Sequence, residues 1–369
     1  MYQVDTIKDG TDLYYVIRDM EDLSILLSPT KYLKFKAKAH MSPNTIRHAA
    51  HALVHYLHYL QEQHLSVDDV YSLPFDRQYL HFTGFLQWLQ NAYHKGESRK
   101  MKPNNRTCNG YLREVFRWFD FLERLGDVPG VLKVRSEVRR HFDTEKHIYQ
   151  KTTRSFKGFL REQESVGQRI EKEDIRTLLG ACANLRDKVL LLLLAETGLR
   201  IGELLGVRFS EDIDHEKQRI RVKFRSDNDN DARAKNEEER SMLISDETYR
   251  IMMCYISEYH LLMMHSGYLF VGISGETAGK PLTIAAVHAM FKRLERKTGI
   301  KAAPHLFRHY FAYERYRSGW DIVLISRALG HRRISTTEHY LDIAGEELEK
   351  SAKEYFNNVK GLIGVPDVL

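Results

Sequence analysis

Apolar positions recur at helical spacing along most of the chain and alternate in only a few short stretches. Tyr2, Val4 and Thr6 alternate, Asp9-Gly10 is a turn signal, and Leu13-Tyr14-Tyr15-Val16-Ile17 follows, predicting a hairpin over 2–18. Ser42-Pro43-Asn44 opens a helix that puts Ile46, Ala50, Leu53, Leu57 and Leu60 on one face. His48, His51, His55 and His58 share the opposite face, where no acidic or cysteine ligand joins them, so they read as a polar or phosphate-facing surface rather than a metal site. Further helices are predicted near 78–92 and 107–125, the second with a core set of Tyr111, Phe116, Trp118, Phe119 and Phe121. Asp127-Val128-Pro129-Gly130 breaks the pattern, and 131–169 is weakly periodic, as a linker would be.

Beyond this stretch the periodicity predicts a helix over 171–181 and a buried run from Val189 to Glu196 that stops at Gly198. Another helix starts near Arg200. Ile220, Val222 and Phe224 alternate as a strand, with 241–245 as its partner, and helices follow at 246–263, 282–298, 305–317 and 321–329, the last ending at Gly330. The fold class expected is mostly α with a small antiparallel sheet, α+β by the order of elements. The expected organisation is an acidic hairpin extension over 1–30, a helical domain over 31–128, a basic linker over 129–169, a second domain over 170–345 and a helical tail over 346–369.

Charge sharpens this division. Residues 1–30 carry two basic and six acidic side chains, net −4, whereas 31–110 carry eleven and five, net +6. Residues 131–169 are net +5 and the tail from 341 is net −3. Basic segments between acidic ends suit a polyanion held in the middle of the molecule, although solvated helix faces would give the same counts. The longest apolar run, Val189 to Ala195, is too short to cross a bilayer, which takes about 20 residues. With no signal-peptide pattern and three scattered cysteines, Cys108, Cys182 and Cys254, a reducing cytoplasm without membrane attachment is expected.

The candidate chemistry lies in the second half. Thr197-Gly198-Leu199-Arg200 sets an arginine just past a helix-stopping glycine, and Glu203 follows within reach of it. Lys235 falls in the loop between the two strands. His305-Leu306-Phe307-Arg308 places a histidine and an arginine on one helical face, His331 follows Gly330, and Tyr340 comes nine residues later. Ser335-Thr336-Thr337-Glu338 between them reads as a capping box. Asp227-Asn228-Asp229-Asn230-Asp231 with Glu238 imitates a calcium loop, but Ala232 stands where glycine is needed, so a solvated hairpin tip is expected.

In this order and spacing the set closely resembles the tyrosine recombinases, the family of phage integrases and Xer-type enzymes. The similarity is strong over about 171–345, including the whole of Leu329–Tyr340, and looser over 30–125. Arg240 and Met242-Leu243-Ile244 support the register of Lys235. The resemblance implies a C-shaped DNA clamp, made of a helical core-binding domain and a catalytic domain, that cuts and rejoins double-stranded DNA at recombination sites. It implies Tyr340 as nucleophile, with Arg200, Lys235, His305, Arg308 and His331 as the other catalytic positions, no metal and no cofactor. Two arginines can hold the charge that grows on a phosphodiester under attack. A phenol needs activation, for which His305 can act as base; His331 can bind the phosphate and Lys235 can protonate the 5′ oxygen. The acidic N-terminal extension looks like that of transposon-encoded recombinases, favouring an integrase or transposase. A strand-swivelling topoisomerase or a non-cleaving regulator on the same fold is the alternative. Leu348, Ala352, Tyr355, Phe356, Val359, Leu362 and Ile363 form an apolar stripe. In the resembling family such a helix often docks on a neighbouring subunit, which implies a homo-tetramer on DNA, with accessory proteins as further partners; packing on its own domain is the alternative.

Overall fold

The computed structural model describes residues 1–9, 12–91, 102–142, 148–162, 169–225, 228–230, 232, 239–331, 334 and 336–337; for 8, 9, 12, 136–142 and 148–154 it gives the backbone alone. The chain divides into two compact units, 1–165 and 166–369.

In the first unit, strands β1 (Tyr2–Asp9) and β2 (Asp12–Asp19) pair antiparallel from Tyr2↔Asp19 to Asp9↔Asp12. The hairpin packs on the rest of this unit, with Tyr15 and Ile17 in its core. Helices α1 (Leu27–Lys38), α2 (Pro43–Glu62), α3 (Val67–Ser72), α4 (Phe75–Gln90) and α5 (Asn105–Leu125) complete that core. Ser42 caps α2 by accepting from the Thr45 amide, and Pro43 begins it, as its sequence predicts. Tyr56, Phe82, Phe85, Trp118 and Phe119 fill the centre.

Helix α1 escapes a reading by pattern because its inner face carries a lysine. Lys36 is buried beside Glu114 at 2.6 Å, and Glu114 also accepts from Tyr32 Oη at 2.7 Å and Arg117 Nη1 at 2.8 Å. A buried charge is tolerated only with partners of this kind. The histidine face of α2 is partly occupied. His58 Nε2 accepts from the Tyr2 amide at 2.8 Å, and His48 and His55 both pack on the Tyr111 ring at 5.2 Å. It packs on β1 and α5 through His58, His48 and His55, while His48 and His51 remain exposed.

The stretch read as a linker also joins this unit. Leu132, Val134 and Phe156 lie in its core, and β3 (Ser136–Phe142) pairs antiparallel with β4 (Ile148–Arg154). Ser-Glu-Val-Arg-Arg-His-Phe lacks the apolar alternation by which a half-buried strand is recognised.

The second unit has helices α6 (Lys172–Ala181), α7 (Leu185–Thr197), α8 (Ile201–Leu204), α9 (Asp246–Ser266), α10 (Ile284–Thr298), α11 (Pro304–Arg317) and α12 (Ile322–Leu329). A three-stranded antiparallel sheet, β5 (Ile213–Asp214), β6 (Arg219–Val222) and β7 (Arg240–Leu243), lies between α8 and α9 in sequence. Helix α7 is the central rod. Val189, Leu190, Leu191, Leu193 and Leu194 are all fully buried, which explains an apolar run without a polar face. The root of the β6–β7 connection is anchored rather than solvated. Asn230 is buried and donates to Leu205 O at 3.1 Å and Leu282 O at 3.0 Å, while Ala232 has no exposed surface. Asp227, Asp231 and Glu238 of the calcium-like pattern lie outside the described residues.

No helix of the described residues is long and apolar enough to cross a membrane.

Candidate active site

Two helix ends make the frame of the site. Helix α7 stops at Gly198 with φ +61°, and α12 stops at Gly330 with φ +64°, both left-handed conformations that glycine adopts without penalty. Gly198 is also needed for its size. A Cβ there would lie 2.6 Å from Phe311 Cδ1 and 2.9 Å from Leu329 Cδ2. The two ends converge on Arg308, which α11 directs inward until only 2% of it is exposed. Its Nη1 donates to Gly198 O at 2.7 Å, and its Nη2 donates to Leu329 O at 2.6 Å. The buried guanidinium is thus held by carbonyls at two helix C-termini, where the backbone dipoles are negative.

Arg308 Nη2 also donates to His331 Nε2 at 2.8 Å, and His331 Nδ1 lies 2.8 Å from Thr337 Oγ1. Arginine only donates, so Nε2 must accept, which assigns the ring proton to Nδ1 and makes Thr337 its acceptor. Burial, then the charges of Arg308, Arg200 and Arg240, push the His331 pKa down to about 3, so the ring is neutral at physiological pH. Both its nitrogens are taken in this arrangement. What His331 does here is hold Arg308.

Arg200 caps the short helix α8. Its backbone amide donates to Glu203 Oε2 at 2.8 Å and its Nη1 donates to Glu203 Oε1 at 3.0 Å, while 24% of its side chain stays open to solvent. The Glu203 side chain has no exposed surface, and Arg240 Nη2 donates to its Oε2 at 2.6 Å. Burial opposes the Glu203 charge, yet Arg240 first and Arg200 second hold its carboxyl below the usual range.

His305, one turn before Arg308, is exposed and stands edge-on to His309 with ring centroids 4.5 Å apart. Partial desolvation, then Arg308 and Arg200, lower its pKa, so it is neutral and able to accept a proton at neutral pH. It also lines a shallow pocket of about 310 Å³ beside His288, Lys292 and Lys301.

The structure therefore brings together Arg200, Glu203, His305, Arg308 and His331. Lys235 and Tyr340 lie outside the described residues, as do Ser335 and Glu338. Thr337 and the structural part of Arg240 were not readable as site features: the first looks like a member of a cap, and the second serves only to mark register. The surplus is cationic. Among the described site residues, the three guanidiniums of Arg200, Arg240 and Arg308 and two neutral imidazoles stand with one buried carboxylate, Glu203, an arrangement suited to an anion with charge on several oxygens.

Residues 168–347 match the phage integrase family. Transposase A from transposon Tn554 of Staphylococcus aureus is 29% identical over 361 residues, covering 92% of this chain and 94% of that protein. Tyrosine recombinase XerA of Saccharolobus solfataricus is 32% identical over 179 residues, 48% of this chain and 53% of the relative. Among solved structures, the Tn1549 transposon integrase in complex with transposon right-end DNA superposes with a TM-score of 0.62 at 17% identity, over 89% of this chain and 99% of the other. XerH bound to a palindromic difH substrate gives 0.59 at 19% identity, over 89% and 85%.

Proposed function

We propose that this chain, which belongs to the phage integrase family and is a tyrosine recombinase, serves a mobile element by cutting and rejoining double-stranded DNA at specific sites through Tyr340. The observation that carries the reading is the convergence of Arg200, Arg308, His305 and His331 on the ends of α7 and α12. In the step proposed, the Tyr340 oxygen bonds to the scissile phosphorus while the bond from phosphorus to the 5′ oxygen breaks. The phenolic proton passes to His305, and Lys235 gives a proton to the departing 5′ oxygen. Arg200 and Arg308 carry the charge of the non-bridging oxygens. The product is a 3′-phosphotyrosyl link and a free 5′ hydroxyl; attack by the 5′ hydroxyl of another strand reverses the step without nucleotide hydrolysis.

The match to Transposase A along nearly the full chain supports a transposase or integrase. Solved relatives bound to recombination DNA support duplex DNA as the partner. Basic segments over 31–110 and 131–169 supply phosphate contacts. The apolar stripe of the tail makes a homo-tetramer on DNA the expected assembly.

Strand exchange between two duplexes carrying the element's ends tests the reading, run with excess chelator and no nucleotide. Exchange with a trapped protein–DNA adduct is expected. Relaxation of supercoils without exchange between sites would replace recombination by strand swivelling.

A further inference from the structure

Arg240 begins β7 with only 11% of its side chain exposed, and it touches two parts of the site at once. Its Nη2 donates to Glu203 Oε2 at 2.6 Å, and its Nε donates to Ala328 O at 3.0 Å. Glu203 Oε2 is thereby filled, since it also accepts from the Arg200 amide. The Arg200 guanidinium meets the other oxygen, Oε1, through Nη1 at 3.0 Å. Without Arg240 the carboxylate could close on Arg200 with both oxygens and draw it inward, the geometry that arginine and carboxylate favour.

The second contact acts on the other side of the site. Ala328 O and Leu329 O are consecutive carbonyls at the end of α12, one held by Arg240 and the other by Arg308. The backbone turns immediately afterwards at Gly330, where a Cβ would stand 2.8 Å from Arg240 Nη1. His331 is the next residue. Hence one guanidinium sets both how Arg200 is tethered and where the turn before His331 lies.

We propose that Arg240 is a positioning residue for phosphoryl transfer, acting through Arg200 and the Gly330–His331 turn without touching a reacting atom. This rests on the reading that Arg200 holds the scissile phosphate.

The test compares cleavage of a nicked suicide duplex carrying an ordinary scissile phosphate with one carrying a methylphosphonate there. Replacing one non-bridging oxygen by methyl removes the charge that a guanidinium would hold. Arg240→Ala should slow cleavage of the ordinary substrate by about 30-fold, within the range expected for misplaced catalytic groups. On methylphosphonate its deficit against the wild-type chain should shrink to about threefold or less. In the Arg200→Ala background the Arg240→Ala change should cost about threefold or less, because only the route through the Gly330–His331 turn remains. Half-site binding and thermal unfolding are measured alongside. Should Arg240→Ala fail to fold, Arg240→Lys serves instead; its ammonium can pair with Glu203 but cannot also span to Ala328, and it should show a smaller deficit with the same substrate dependence. Equal deficits on both substrates, or losses that multiply in the double variant, overturn the proposal. If Arg200→Ala itself gains nothing from methylphosphonate, the Arg200 assignment falls. The double variant still decides the coupling: non-multiplying losses uphold it and multiplying losses overturn it.

Discussion

Replacing Glu203 by glutamine is the sharpest perturbation of the arginine framework, because it removes a charge while leaving shape almost unchanged. The carboxylate is fully buried, 2.6 Å from Arg240 Nη2 and 3.0 Å from Arg200 Nη1. In Glu203→Gln the amide oxygen would take the Oε2 position, where Arg240 and the Arg200 amide both donate. The amide nitrogen would then face Arg200 Nη1, donor against donor. Breaking a buried ion pair by removing one partner costs about 3–5 kcal/mol. Here the arginines retain some solvent, 11% for Arg240 and 24% for Arg200. Discounting for that screening leaves about 2–3 kcal/mol. The carboxyl pKa is lowered in the folded state, so its contribution is present above the ordinary value of 4.5 and fades as pH falls through the lowered one. The gap between wild type and Glu203→Gln should therefore be full at pH 6–8 and narrow below about 4.5. Urea unfolding, read by hydrogen exchange on peptides from α7 and α12, reports this unit separately from the first. A loss below about 1 kcal/mol with unchanged DNA cleavage would refute the reasoning, since the charge would then hold neither arginine.

Three further outcomes follow from the same framework. Gly198→Ala meets both a positive φ and Phe311 at 2.6 Å, and should lose about 2–4 kcal/mol; Gly299→Ala, also at positive φ but with open space around it, should lose only about 1 kcal/mol, and equal losses in denaturation would contradict the packing argument. His331 has a folded pKa near 3, so the second unit should lose stability from pH 6.5 downward by up to about 1.4 kcal/mol per pH unit, more steeply than His331→Gln; parallel curves would show that the ring is not held neutral. A chain ending at Gly345 should bind one half-site nearly normally but lose tetramers and strand exchange in native gels, and intact exchange would remove the tail as subunit connector.

Much of the framework is legible in the sequence because local chemistry writes it there. Gly198 and Gly330 mark the helix ends, Ser42-Pro43 marks the start of α2, and the apolar run from Val189 marks the central rod. What stays hidden depends on contacts far apart in the chain. Helix α1 is masked because Lys36 replaces an apolar residue on its inner face, which the ion pair with buried Glu114 makes tolerable. The strands β3 and β4 are masked because their few apolar residues, Val138, Phe142, Ile148 and Tyr149, do not alternate with polar ones. Thr337 and Arg240 enter the site through hydrogen bonds to His331, Glu203 and Ala328. For Arg240 those partners lie 37 and 88 positions away, beyond any periodicity. Residue types disclose the chemistry, whereas the tethers that orient it belong to the fold.

The central claim is that Tyr340 forms the covalent bond to DNA. A duplex with a nick beside the scissile phosphate releases a short strand on cleavage and so traps any protein–DNA link. With this substrate the wild-type chain should yield an adduct that survives denaturing electrophoresis, and its digestion should give a phosphotyrosyl peptide containing residue 340. Tyr340→Phe should bind the same duplex with unchanged affinity and give no adduct. An adduct of normal yield from Tyr340→Phe, or a link mapped to another residue, would contradict the account.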